Sequence, residues 1–514
     1  MTHRIGKWIS AGLSLTVLIA ALSGCGSPTD SSDQAATAPG GEGSLQEGFR
    51  NPNESNGDTQ SGSANSAGNN GSLQSHSAAP AGSDNGTQMD PAASGGNDSS
   101  SDLSSASQSG SGETPLLSGN AGSYTDLAVR LFQESAKGKR TDVLISPLSV
   151  INALAMTANG AKGETLAQME ALFGADTSSL SEYLRGLNET LPDEEGCKLH
   201  LANSIWYRNN QGFSVQEDFL KTNKEIFRAE VYPSSFDSTA PQEINRWVSE
   251  HTDGMIPQII DQIDEDTVMY LINALAFDAL WLDPYVENQI WSDTFYLQTK
   301  SENSPTPNSD SLLETRVQMM HSRESVLLQD IDEQGQTAAM GFLKYYVGGR
   351  YALAALLPAE GTDLSDYIGS LSGERVRRVL EDASGADINA TMPIFETECS
   401  VSMKDILTAM GMTDAFEPAA ADLTGIGSCP DGELYIDNVL HKTYISVNSS
   451  GTKAGAATAV VIEAGSAMLE REIIDITLNR PFFYMIVDCE NNIPVFIGAL
   501  TMPLEICRLP LAEP

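Results

Sequence analysis

From Gly26 to about Gly122 the chain is a tract of Ser, Gly, Asn, Asp and Ala with Arg50 as its only basic residue and almost no aromatics. Such a composition buries too little apolar surface to offset the entropy of ordering a chain, so nothing in it can form a core. Whatever folds must come from about Ser123 to Pro514, where no second stretch rich in Pro, Gly and Ser intervenes. That part is long for one domain but reads as one. The tract reads as a flexible linker with an r.m.s. reach of about 50–60 Å, and His76 as a linker residue.

Upstream of the tract, His3, Arg4 and Lys7 precede an apolar run from Trp8 to Leu22, followed by Ser23, Gly24 and Cys25. A basic start, an apolar middle and small residues at its end make residues 1–24 an export signal. The run is too short, and too interrupted by Ser and Gly, to span a bilayer as a helix of about 20 residues. Small residues before a lone Cys leave its thiol reachable for diacylglyceryl transfer, and the pattern resembles a bacterial lipobox. Lipid on Cys25 would tether the exported chain at the cell envelope rather than span it, with release into the extracellular space as the alternative. An ordinary secretory signal with an incidental Cys also remains open. The expected organisation is a signal at 1–24, a tethered linker at 25–122 and a folded domain at 123–514.

With 29 basic against 69 acidic residues the formal charge is −40, and the one compact basic cluster is Lys137, Lys139 and Arg140. Nucleic acid and polyanions are poor partners for such a chain. Besides Cys25 there are Cys197, Cys399, Cys429, Cys489 and Cys507, an odd set without close pairs, which permits disulfides without requiring them. No Cys/His set has metal-binding spacing, and neither a metal nor a cofactor is expected. An enzyme reading lacks a nucleophile elbow, a phosphate loop and any His-rich motif, the whole chain having six His.

The periodicity predicts a mixed α+β class. Ser146-Pro147 opens a helix running to Asn159, and Thr165–Phe173 forms another that Gly174 ends. Leu199, Leu201, Asn203, Ile205 and Tyr207 alternate as in a half-buried strand. Val268–Trp281 and Tyr351–Leu357 are continuously apolar, as strands buried on both faces should be. Ser402–Met410 reads as a helix closed by Gly411, and Phe482–Val487 with Val495–Leu500 as a hairpin.

The run ISPLSVINALAMTANGAKGETLAQM from Ile145 to Met169 resembles the early helices of the serpin family. The resemblance continues through LANSIW (Leu201–Trp206), INALAFDALW (Ile272–Trp281), GMTDAF (Gly411–Phe416), ADLTGI (Ala421–Ile426), NVLHK (Asn438–Lys442) and NRPFFYMIVD (Asn479–Asp488), in the family's order. It implies the serpin fold, with three β-sheets, about eight to nine helices and an exposed reactive-centre loop between about Ser450 and Ile473. It also implies a suicide substrate rather than an enzyme. A serine protease of the extracellular space attacks the loop and forms an acyl-enzyme through its own Ser. The cleaved loop then inserts into the main sheet and traps the covalent complex. The implied partners are serine proteases, together with a membrane through lipid on Cys25, and the chain is otherwise expected to be a monomer.

The loop itself can be tested for insertion. Gly451 offers a permissive hinge, and Thr452, Lys453, Ala454, Gly455, Ala456, Ala457 and Thr458 form a run of small or β-compatible residues with one charge. Alternation puts Thr452, Ala454, Ala456, Thr458, Val460, Ile462 and Ala464 on one uncharged face and both Lys453 and Glu463 on the other, so an inserted strand need not bury an unpaired charge. An Ala-rich loop without a fixed conformation is the alternative. Counting the family's fourteen residues beyond Gly451 places the scissile bond at Gly465-Ser466. Met468-Leu469 is the runner-up, and Arg471-Glu472 requires a longer loop. Gly or Met before the bond suits an elastase- or subtilisin-like protease. By resemblance Ser149, Asn273 and His441 match the hydrogen-bonded shutter behind the sheet, and Trp281 the breach where the loop enters.

Two departures from the family pattern bear on insertion. Ser449 and Ser450 stand where acidic residues commonly precede the hinge, and Lys453 stands where an acidic residue is common. They leave a non-inhibitory serpin, a carrier or storage relative, as the second reading. A solute-binding lipoprotein is a more remote one, which would need neither the hinge run nor the NRPF element.

Overall fold

The computed structural model describes residues 14–23, 116–209, 212–254, 256–297, 313–430, 432–452 and 472–503. Among these residues nine α-helices surround three β-sheets. The helices are α1 (Leu116–Ala136), α2 (Pro147–Ala158), α3 (Gly163–Phe173), α4 (Thr177–Glu189), α5 (Glu217–Phe227), α6 (Ala240–Glu250), α7 (Leu364–Ser370), α8 (Gly373–Glu381) and α9 (Met403–Ala409).

Local chemistry sets the early helices. Ser146, in extended conformation, accepts from the Ser149 N–H through its side chain, and Pro147 takes the first helical position, where a missing N–H costs nothing. Every residue of α2 is buried, so this helix packs on all sides. Gly174 ends α3 with φ +66°, a left-handed conformation that favours glycine.

The main sheet has eight strands: β1 (Ser14–Ser23), β2 (Asp193–Glu194), β3 (Cys197–Arg208), β4 (Glu230–Ser234), β5 (Thr267–Leu280), β6 (Phe395–Ser402), β7 (Tyr435–Val447) and β8 (Gly451–Thr452). Across the sheet, β6 pairs with β7, and β5 pairs with β3, all antiparallel. Between β7 and β5 lie β8 and, further along, β1, each antiparallel to both neighbours. The short β2 and β4 border β3.

The apolar run in β5 is buried on both faces as its sequence predicts. Leu271, Leu275, Phe277 and Ala279 join the main core, while Tyr270, Ile272, Ala274 and Ala276 join a second cluster with Ile244, Trp247 and Val248 of α6. In β3 the alternation holds only at the start. His200 is exposed, whereas Ser204 and Trp206 are buried, Trp206 belonging to the same second cluster beside α6.

The second sheet has nine strands and is organised by the long strand Leu313–Ile331. One part of that strand pairs with Ile290–Leu297 and Ser384–Pro393, and the other with Thr337–Tyr345. The Phe482–Asp488 and Ile493–Leu500 hairpin in this sheet is buried throughout. Ser214–Val215 and Gly427–Ser428 form the third sheet. Cys197, Cys399 and Cys489 are free thiols, and Cys429 is disulfide-bonded.

Candidate functional site at the β5–β7 gap

Of the residues expected to form hinge, breach and shutter, the described ones, Gly451, Thr452, Trp281, Asn273, His441 and Ser149, lie along or behind the gap between β5 and β7. At its entrance Gly451 has φ +157°, and a Cβ there would lie 2.1 Å from the carbonyl oxygen of Ala279. Only glycine lets the chain approach β5 this closely. Thr452 follows with its hydroxyl 2.6 Å from the Tyr346 hydroxyl, both residues being fully buried. Burial pushes the Tyr346 phenol far above its ordinary range, so it stays a neutral hydroxyl.

Trp281 holds the turn that leads into β8. Its indole N–H donates to the Asn448 carbonyl at 2.8 Å, its backbone N–H donates to the Ser450 carbonyl at 2.9 Å, and its ring stacks on Tyr346 with centroids 4.4 Å apart. The Ser449 carbonyl accepts from the Tyr285 N–H. Both serines therefore contribute backbone to the entrance.

A buried cation also sits here, which the sequence reading missed. Lys344 Nζ lies 2.9 Å from Glu324 Oε1 and 3.1 Å from the Asp283 carbonyl, and it stands 4.4 Å from the Tyr285 ring centroid and 5.4 Å from that of Trp281. The available signal was a lone Lys inside the apolar strand Thr337–Tyr345. A charge placed there needs a partner from elsewhere in the chain.

Midway along the gap lie Asn273 on β5 and His441 on β7, fully buried like Ser149 on α2. The Ser146 backbone N–H donates to His441 Nε2 at 3.1 Å, which leaves the ring proton on Nδ1. Burial lowers the His441 pKa to about 3, so the imidazole is neutral at physiological pH. Asn273 Nδ2 donates to Asn203 Oδ1 at 2.7 Å, and Asn203 Nδ2 donates to the Phe227 carbonyl at 2.9 Å. Ser146 and Asn203 thus share hydrogen bonds with His441 and Asn273, and the sequence reading did not single them out. Three polar atoms, Ser149 Oγ, Asn273 Oδ1 and His441 Nδ1, have no hydrogen-bond partner among the described residues. Two of these, on Asn273 and His441, belong to residues that face each other across the gap through a single register position.

That register position is Leu18. β1 runs from Ser14 opposite Phe277 to Ser23 opposite Thr267, and Leu18 is paired with both Asn273 and His441. The segment read as the apolar part of an export signal is here a sheet strand. Lys453 through Thr458, the bonds Gly465-Ser466 and Met468-Leu469, and Cys25 lie outside the described residues.

Comparison with known proteins agrees with this geometry. The sequence model of the serpin family, serine protease inhibitors, matches residues 122–503. An uncharacterized serpin-like protein of Thermococcus kodakarensis is 30% identical over 384 residues, covering 73% of this chain and 84% of its own length. A leukocyte elastase inhibitor of Xenopus tropicalis is 28% identical, covering 74% of this chain and 97% of its own. The crystal structure of the thermophilic serpin tengpin in its native state superposes with a TM-score of 0.65 at 36% identity, covering 74% of this chain and 94% of its own. The chain belongs to the serpin family.

Proposed function

We propose that this protein is a suicide-substrate inhibitor of extracellular serine proteases, trapping the acyl-enzyme by inserting its cleaved loop between β5 and β7. One observation carries the reading. β8 pairs Thr452 with Ala279 on one side and with Val447 on the other. Continued without a break, each further loop residue steps one place back along both neighbours. Six steps on, Thr458 falls opposite Asn273 and opposite His441, the same two residues by both counts. Opposed residues in antiparallel strands share a face. The Thr458 hydroxyl would then donate to Asn273 Oδ1 and accept from His441 Nδ1–H, the two polar atoms left over in the gap.

The rest of the loop fits the same register. Lys453 falls opposite Asp278, so the departure that stood out in the sequence meets a compensating carboxylate. Gly455, Ala457 and Ala459 would lie opposite Ala276, Ala274 and Ile272, on the side of the sheet covered by α6, where little room is left for larger side chains. Val460 and Ile462 would face the main core. This composition favours an inhibitor over a carrier or storage serpin.

The chemistry belongs to the target. Its Ser attacks the Gly465 carbonyl, the peptide beginning at Ser466 leaves as an amine, and the acyl-enzyme stays attached to a loop end that moves as insertion proceeds. About 14 inserted residues at about 3.3 Å each carry the protease some 45 Å, on the order of its own diameter. The chain supplies no catalytic group and acts as bait and spring. An exported chain tethered by lipid on Cys25 would present that bait at the envelope surface. The test is incubation of the processed chain with elastase-, subtilisin-, chymotrypsin- and trypsin-like proteases. A denaturant-resistant adduct with the first or second of these, and a released peptide starting at Ser466, is expected. Cleavage by all four without an adduct refutes the proposal.

A further inference from the structure

The gap that the loop must enter is occupied. We infer that residues 14–23 are an intramolecular plug of the insertion gap, which holds the unprocessed chain in a non-inhibitory state until the segment is removed; this rests on the inhibitory reading above. All ten residues of β1 pair with β5, and nine of them pair with β7. The strand runs antiparallel to both, the direction that a loop continuing from β8 would take.

Plug and loop compete for the same partners. Ser14 and Leu15 are opposite Phe277 and Ala276, the positions that Ala454 and Gly455 reach when the β8 register is continued. Only one register place, that of Asp278, separates the end of β8 at Ala279 from the start of β1 at Phe277. Both strands cannot occupy the gap, because each interior strand position accepts one backbone ladder on either side.

The sequence of the segment suits this role. SLTVLIAALS contains no charge and no proline, and Thr16, Val17 and Ile19 are β-branched. The plug is also a poorer occupant than the loop at one place. Position 18 is leucine, without a hydroxyl for Asn273 Oδ1 and His441 Nδ1, whereas the loop brings Thr458 there. Near Cys25 the register slips on both sides, between Ala21 and Leu22 on β7 and between Leu22 and Ser23 on β5. Pairing is thus least regular next to the expected cleavage point. Once cut, the segment loses the high effective concentration that covalent linkage gives it.

The test uses the full chain, residues 1–514, and the same chain carrying Val17→Pro and Ile19→Pro, each of which removes a ladder N–H inside the gap. Both are incubated with an elastase-like protease, melted, and followed by hydrogen exchange. The parent is expected to be cleaved without adduct, to melt above the variant and to show protected amides at 14–23. The variant is expected to form adduct at least tenfold faster. Equal adduct rates with equal melting, or unprotected 14–23 amides in the parent, would overturn the plug. If neither chain forms an adduct, the inhibitory reading fails. Melting and exchange then still decide occupancy, and synthetic SLTVLIAALS peptide should raise the melting of the variant and not of the parent. Should the double variant fail to fold, exchange in the parent alone decides: protected 14–23 amides uphold the plug, and unprotected ones overturn it.

Discussion

Thr458→Val is the substitution that separates an inserted loop from an uninserted one, because it removes a hydroxyl and keeps the β-branched shape. In the intact chain Asn273 Oδ1 and His441 Nδ1 are without partners among the described residues. In the inserted state the hydroxyl would pair with both. Two net hydrogen bonds at about 0.5–1.5 kcal/mol each make the loss about 1–3 kcal/mol. It should appear only in the loop-cleaved protein, as a lower denaturant midpoint at unchanged slope. Thr452→Val is the control, since the Thr452 hydroxyl already bonds Tyr346 at 2.6 Å and its loss should weaken the intact chain as well. Slower insertion lets more acyl-enzyme hydrolyse, so Thr458→Val should also raise the number of inhibitor molecules consumed per protease trapped. A cleaved Thr458→Val protein with the midpoint and stoichiometry of the parent would refute the register argument.

Three further expectations follow from the same gap. Gly451→Ala would set a Cβ 2.1 Å from the Ala279 carbonyl oxygen at φ +157°; it should expel β8, cost about 2–4 kcal/mol in a denaturant melt and alter Trp281 fluorescence. Glu324→Ala strands the Lys344 ammonium, whose side chain is 2% exposed; a loss of about 3 kcal/mol is expected, the low end for a broken buried pair because the Asp283 carbonyl remains, and the double variant with Lys344→Met should regain most of it. His441, with its folded pKa lowered to about 3, stays neutral while the unfolded imidazole takes up a proton below about 6.5. The unfolded state therefore binds more protons across that window. This contribution is fully present above pH 6.5 and lost as pH falls, by roughly 2–3 kcal/mol at pH 4.5, and His441→Gln should flatten the slope measured in equilibrium melts between pH 7 and 4.5.

Much of the fold could be read because its signals are local. The Ser146-Pro147 cap, Gly174 and the apolar hairpin after Pro481 each specify their own few residues. The hinge reading rests on the same kind of local signal, small residues and side-chain parity within a single strand, and only Gly451 and Thr452 of it lie among the described residues. What escaped was long-range. Asn203 reads as one more strand residue until β3 pairs with β5 and sets it beside Asn273. Lys344 could be seen as a misfit in an apolar strand, but Glu324 and Asp283 reach it only through tertiary contacts. Residues 14–23 show the limit of pattern reading most plainly, because a short continuous apolar run has the same periodicity as a helix and as a strand buried on both faces. The gap between β5 and β7, which no local pattern reveals, decides between them.

Hydrogen exchange of residues 453–464, compared before and after cleavage of the loop in the chain freed of residues 1–24, tests the insertion claim most directly. Cleavage is expected to slow exchange at these amides by at least about 100-fold, corresponding to an opening free energy of about 2.7 kcal/mol. The Asn273 and His441 amides should gain protection alongside them. Exchange at 453–464 that is as fast after cleavage as before would contradict insertion.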